Sequence, residues 1–298
     1  MQLFMTRTPL ATLLFILLMH AGVKNAHAQV AEQDSLALVA LHEATDGSNW
    51  TDSANWLAGP VSTWFGVTTV ANQVSVLDLE NNGLAGTLPS ELGNVAGLDS
   101  LDLSHNMISG GIPVSLGNLS ELSALDLSHT HLGPDIPIEL GNLTNLKHLD
   151  LAAARLTGGI PSFLRGLTSL EKLYLGGNFL GGEIPPDLGN LRELTRLHLW
   201  NCNLAGEIPP ELGSLTNLEE LFLFYNHLGG AIPSELGNLA SLTQLELGTN
   251  EFTEIPESFE NLANVSLLFL ADNAFTGEIP AALGSMSSLT ECSWPTGS

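Results

Sequence analysis

The chain has 298 residues, of which 13% are charged and 44% hydrophobic, a balance that excludes a disordered, strongly solvated polymer. Eight Lys+Arg against 32 Asp+Glu give a net charge of −24, and so acidic a surface would repel nucleic acid. No apolar run reaches the roughly 18 residues of a membrane span, and 30 glycines and 15 prolines without a G-X-Y period indicate regularly placed turns rather than collagen.

The chain opens with Arg7, an apolar run from Leu10 to Met19, and the small-residue site Ala26-His27-Ala28. That order describes a secretory signal, so residues 1–28 are expected to be an address removed on export. Cleavage would take away Arg7 and Lys24 and no acid, leaving 6 basic and 32 acidic residues. No second apolar run or lipid-modification signal follows. The mature protein is therefore expected to be soluble and monomeric, without membrane insertion, and extracellular (periplasmic in a diderm bacterium).

From residue 74 a single period takes over. Leu77-Asp78-Leu79 recurs as Leu101-Asp102-Leu103, Leu125-Asp126-Leu127 and Leu149-Asp150-Leu151, and the leucine pair continues through Leu245/Leu247, each step being 24 residues. The ninth unit, Leu268/Leu270, arrives one residue early, which places a deletion around Phe252–Pro256. Prolines from Pro89 to Pro280 keep the same beat. A fixed period with L-x-x-L-x-L-x-x-N is the leucine-rich-repeat signature. It predicts an α/β fold: a right-handed solenoid with a parallel β-sheet on its concave face and short helical or 3-10 turns on the convex side. Residues 29–73 are expected to form an N-terminal cap with a short helix, residues 74–291 the array, and residues 292–298 a tail.

Within each repeat the leucines point inward from a short strand. Asn106, Asn178, Asn226, Asn250 and Asn273 then stand where the chain turns inside the stack, and their amides are placed to satisfy buried backbone groups. Thr130 and Cys202 are weaker substitutes in that column. Ala154 offers no side-chain hydrogen bond, which makes the fourth repeat the expected soft spot. Cys202 and Cys292 lie about four strands apart, roughly 19 Å at about 4.8 Å per strand, so both are expected to be free thiols.

The unit L-x-x-L-x-L-x-x-N-x-L-x-G-x-I-P-x-x-L-G-N-L resembles the plant-type leucine-rich-repeat subfamily, which includes receptor-kinase ectodomains and polygalacturonase-inhibiting proteins. Leu36 to Val76, with Trp50, Trp56 and Trp64-Phe65-Gly66-Val67, is similar to the family's N-terminal cap. Ser62 and Thr69 stand where plant caps usually carry a cysteine pair, which favours a microbial secreted member. The resemblance implies a non-catalytic binder of an extracellular protein or peptide, with no cofactor. The alternative it implies is an inhibitor of a secreted glycosidase or a carbohydrate binder, whose partner would be a glycan.

Residues flanking each Leu-x-Leu form the exposed strand face, where function is expected. Its middle column runs Asp78, Asp102, Asp126, Asp150, Tyr174, His198, Phe222, Glu246, Phe269, so the face changes from acidic to aromatic halfway along. The stacked aspartates fit either a cation strip or solvated groups bonded to neighbouring serines, and nothing encloses them as acid–base catalysis requires. No metal-ligand spacing recurs among the histidines. Trp200 is the one tryptophan on this face, with Tyr174, His198, Phe222, Phe224 and Tyr225 around it. Lys172 and Arg196 are adjacent in the preceding column. Rings with neighbouring cations mark the expected ligand site: Lys172, Tyr174, Arg196, His198, Trp200, Phe222 and Phe224.

Overall fold

A leucine strand three residues long cannot hold its shape alone; it is held by the identical strand of the next turn. The computed structural model describes residues 30–276 and 281–293, so the signal-like segment, Pro280 and Trp294 lie outside the described residues. Its main sheet has eleven strands. The first two, Val67–Val70 and Gln73–Asp78, pair antiparallel as a hairpin, and all later pairings are parallel. Those strands are Ser100–Asp102, Ala124–Asp126, His148–Asp150, Lys172–Tyr174, Arg196–His198, Glu220–Phe222, Gln244–Glu246, Leu267–Phe269 and Glu291–Ser293. The register is that of the sequence period: Leu77 faces Leu101, Leu101 faces Leu125, and so on to Leu245. Leu245 then faces Leu268, one residue short of the full step. The lost residue shows as a register slip where Gly230 and Ala231 meet Phe252 and Glu254.

Opposite the sheet, eight five-residue 3-10 turns from Ser90–Asn94 to Glu257–Asn261 each begin after a proline, whose fixed φ suits that entry. Between sheet and turns lies a column of leucines with no exposed surface, among them Leu101, Leu125, Leu149, Leu173, Leu197 and Leu221. Burying each such side chain stabilises the stack by about 1.5–3 kcal/mol.

Glycine sets how closely the convex turns approach. A Cβ on Gly213 would lie 2.3 Å from the Glu235 carbonyl oxygen, and Gly93, Gly117, Gly189 and Gly237 are equally crowded by the following turn. Arg165 stands at this position in the fourth repeat, and there the turns touch less extensively. Arg165 bridges the gap through Nη1 to Asp187 Oδ2 at 2.9 Å. A shallow depression bordered by Asp135, Ile138, Gly158 and Phe163 opens beside it.

The helix Glu32–Ala44 covers the first repeat. Asp34 Oδ2 accepts the Val74 amide at 2.9 Å, and Trp50, Trp56 and Trp64 are buried against one another and against His42. Indole N–H groups of Trp50 and Trp56 donate to the carbonyls of Thr45 and Phe65. This ring stack ties the cap down where a disulfide would otherwise do so. Both cysteines are free: Cys202 is buried and Cys292 exposed. Burial pushes the Cys202 thiol up to about 11.

The asparagine column interlocks consecutive turns. Asn178 Oδ1 accepts the amides of Ala154 and Leu156, both at 3.0 Å, while its Nδ2 donates to the carbonyls of Leu151 and Leu175 at 2.8 and 2.7 Å. Asn226 repeats the pattern with Cys202, Leu204, Leu199 and Leu223. Asn82 belongs to the same column and joins array to cap through Asp52. Where the column holds Cys202, its thiol donates to the carbonyls of Leu175 and Trp200 at 3.2 and 3.4 Å, and beside Ala154 and Cys202 the amides of Gly133 and Gly181 reach the carbonyls of those two residues. Losing a buried amide's partners costs about 1–3 kcal/mol each. Asn178→Ala and Asn226→Ala should therefore each lower the melting temperature by several degrees, whereas Asn264→Ala, whose single bond to the Ala240 carbonyl is exposed, should leave it nearly unchanged. Three equal melting curves by circular dichroism would remove the ladder from the account.

Candidate functional site

The strand face carries the side chains that the leucines leave outward. Three residues beyond the strands of the array stands a residue of positive φ, including His105, His129, Ala153, Asn201, Tyr225 and Thr249, and this left-handed turn sends the chain inward to the asparagine column. The positions before it are thereby held in straight columns across the sheet.

At the N-terminal half the aspartates bond to their own strands. Asp102 Oδ1 accepts the Ser104 amide and hydroxyl at 3.0 and 2.7 Å, and Asp126 and Asp150 accept the amides of Ser128 and Ala152 at 2.9 Å. Asp150 has an alanine where Asp102 and Asp126 have a serine. Burial, reinforced by Asp126 and Asp102 and partly offset by the Ala152 amide, pushes its carboxyl up to about 7. His148 stands two residues before Asp150, and burial holds its imidazole below the usual range.

From His148 onward the face is a run of rings. His148 meets Tyr174 edge-on at 5.4 Å, Tyr174 leans on His198 at 4.6 Å, and His198 stacks on Phe222 at 4.2 Å. Phe222 lies 6.2 Å from Phe224, which stacks on Trp200 at 5.8 Å with an interplanar angle of 5° and meets Tyr225 at 5.6 Å. Offset stacks and edge contacts at these distances are the favourable geometries. The rings of Tyr174, His198, Trp200, Phe222 and Phe224 are each half-buried rather than projecting, because each covers part of its neighbour; Tyr225 stays 59% exposed.

Two supports escaped the sequence reading. Trp200 lies flat over Gly176 and Gly177, and a Cβ on Gly176 would come within 2.4 Å of its indole. The glycine pair one repeat earlier was the available signal. Glu220 is the other: its Oε1 lies 2.9 Å from Arg196 Nε and its Oε2 is 3.0 Å from His198 Nε2. The Arg196 Nε–H is not aimed at the carboxylate, so that contact is an ion pair rather than a directed hydrogen bond. The nearby Tyr174 hydroxyl, and after it Glu220, push the already high pKa of Arg196 further up. Burial lowers the His198 pKa, against Glu220, which raises it. A neutral ring at pH 7 therefore donates Nε2–H to the carboxylate.

All seven expected site residues thus fall in one contiguous patch over three consecutive strands and the residues just after them. Arg196, however, is already engaged by Glu220. Lys172 has no ion-pair partner among the described residues, whereas Lys147 and Arg165 are paired with Glu171 and Asp187. His105 and His129 are exposed and stack on each other at 4.3 Å.

Leucine-rich-repeat family models match residues 72–132 and, as four successive units, 145–167, 169–191, 193–215 and 217–239. Together they cover more than half of the chain, which belongs to the leucine-rich-repeat proteins. Among solved structures it is similar to the ectodomain of the Arabidopsis thaliana membrane receptor kinase GASSHO1/SCHENGEN3 in complex with CASPARIAN STRIP INTEGRITY FACTOR 2. That match has 36% identity and a TM-score of 0.75 over 86% of this chain and 34% of that one. It is also similar to the Arabidopsis receptor kinase HAESA in complex with the peptide hormone IDA and the co-receptor SERK1, with 30% identity and a TM-score of 0.67 over 87% of this chain and 52% of that one. The chain therefore spans about a third to a half of these receptor structures. A plant ice-binding protein shares the fold alone, with 24% identity and a TM-score of 0.70 over 90% of this chain and 97% of that one. No curated protein matches the chain, and no helix among the described residues is long and apolar enough to cross a membrane.

The Asp150 environment has a measurable consequence. A carboxyl whose folded pKa is raised favours the folded state when protonated, so its penalty is absent below the unfolded value near 4 and grows as pH rises to about 7. Three pH units correspond to about 4 kcal/mol at most. Asp150→Asn keeps the bond to the Ala152 amide and removes the charge. In EDTA-treated buffer it should raise the melting temperature at pH 8 by several degrees, and by clearly less at pH 5.5. An equal effect at both pH values would mean that Asp150 ionises as an ordinary surface aspartate.

Proposed function

We propose that this protein is a non-catalytic recognition module of the exported space. In this reading a monomer binds an extracellular protein or peptide on the concave face of repeats five to seven. The observation that carries it is the continuous ring surface from Tyr174 to Phe224 and Trp200, with the unpaired Lys172 at its edge, in a molecule of net charge −24. Receptor structures of the same fold, one of them bound to a peptide hormone, support ligand recognition as the use of such a face. Beside the rings, Glu220, Arg196 and His198 are engaged with one another, which supports binding rather than acid–base chemistry as the use of this patch.

The rings divide the work. Trp200, Phe222 and Phe224 supply apolar area that is already ordered, so little side-chain entropy is lost on binding. Tyr174 and His198 form their edge. Lys172 meets a carboxylate or other anion of the partner, while Arg196, held by Glu220, shapes the edge and is available only to an anion that displaces that acid.

A pull-down from the native secretome supplies the partner. Titration calorimetry should then show Trp200→Ala weakening binding by roughly thirtyfold or more at any salt concentration, as truncating a central anchor does. Lys172→Ala should matter mainly at low salt, and Asp102→Ala should be neutral. Loss of binding in Asp102→Ala with Trp200→Ala unchanged would place the site on the acidic half. If the captured partner is a glycosidase that this protein inhibits, or a glycan, the alternative reading replaces this one.

A further inference from the structure

Where the acidic half of the strand face meets the aromatic half, three metal-ligating side chains converge. Asp126 and Asp150 face each other on adjacent parallel strands, and His148 lies two residues before Asp150 on the same face. One ligand atom from each lies within 4.8 Å of the other two. Around a tetrahedral ion with bonds of about 2.0–2.2 Å, donors stand roughly 3.3 Å apart, a separation that small side-chain rotations reach. Oδ1 of each aspartate is anchored by the amide two residues on, and Oδ2 takes part in no hydrogen bond among the described residues. The His148 ring is steadied by its edge contact with Tyr174.

A second observation points the same way. His148 Nε2 is buried and has no hydrogen-bond partner among the described residues. Buried polar atoms are nearly always paired, and an orphan calls for an explanation. Asp126 and Asp150 stand side by side next to a third carboxylate, Asp102, and none of the three has an ion-pair partner among the described residues. Lys172 is the neighbour of His148 on the next strand, on the side away from Asp126, and Arg196 one strand further is paired with Glu220.

We propose that Asp126, His148 and Asp150 form an open binding site for one divalent borderline metal ion such as zinc or cobalt. The donor set selects that group. An imidazole nitrogen is a poor ligand for calcium or magnesium, which take oxygen, whereas nitrogen with carboxylate oxygen suits the borderline metals. Three protein ligands leave at least one position for water or an incoming group, as in open zinc sites. The inference goes beyond the recognition reading and does not depend on it.

The test uses the full chain without a polyhistidine tag, stripped with chelator and dialysed. Calorimetric titration with Zn²⁺ alone should show one equivalent bound, and Co²⁺ should give a visible d–d absorption band that Zn²⁺ abolishes. His148→Gln, Asp126→Asn and Asp150→Asn should each lower Zn²⁺ affinity at least tenfold, and Asp78→Asn should not. A hundredfold excess of Ca²⁺ should not displace the ion. The cobalt band is read on the unmodified chain, so the result stands even if a variant folds poorly. No stoichiometric Zn²⁺ binding or no cobalt band overturns the proposal. So does unchanged affinity in His148→Gln, loss of binding in His129→Gln instead, which would move the ion to the stacked His105–His129 pair, or ready displacement by Ca²⁺.

Discussion

A turn of this solenoid cannot satisfy its own buried backbone. The chain bends inward after every strand, and the amides and carbonyls exposed there find partners only in the turn before or after. Asn178 and Asn226 each serve two amides of the preceding turn together with carbonyls of both turns. That requirement forces one turn to lie over the next in fixed register, and the rest of the architecture follows from it. Leucines stack because the register stacks them. Glycines on the convex side let successive turns close to a distance that a Cβ would forbid.

The same register has a consequence on the surface. Whatever occupies one outward position in successive repeats is brought alongside its counterpart, strand by strand. Aspartates at that position become a repulsive column, relieved in part by each strand's own amides and, at Asp150, by a strongly raised pKa. Rings at that position become a run of stacked and edge-on contacts, self-covering yet broad. The two regimes meet at His148, where a histidine sits between carboxylates and a tyrosine. Chemistry on such a fold is therefore written in columns, and a change of residue class along one column marks a border between two surfaces of different chemistry.

Much of this was legible in the sequence, for a physical reason. The strand pairing, the inward leucines, the asparagine column and even the one-residue deletion near Phe252 are properties of a period, and a period is visible without coordinates. The seven ring and cation positions were legible as neighbours for the same reason. What the sequence did not disclose depends on rotamers and on diagonal contacts. Glu220 meets Arg196 within one column but reaches His198 in the next, and Trp200 folds back over Gly176 one repeat earlier in its own column; both depend on the rotamers chosen. The meeting of Asp126, His148 and Asp150 likewise joins two columns on two strands. Asn82, 24 residues before Asn106, lies on the same period, but its two bonds to Asp52 of the cap do not show in it. On the convex side, Arg165 reads as one more basic residue until its position is seen to be the one that glycine keeps elsewhere.

The central claim is that recognition occurs on the ring half of the strand face. Hydrogen–deuterium exchange of the full chain, with and without the partner captured from the secretome, tests it most directly. Binding should slow exchange in peptides covering residues 172–176, 196–201 and 220–226, and leave those covering 78–82 and 100–106 unchanged. Protection confined to the aspartate strands, or to the convex turns, would contradict the account.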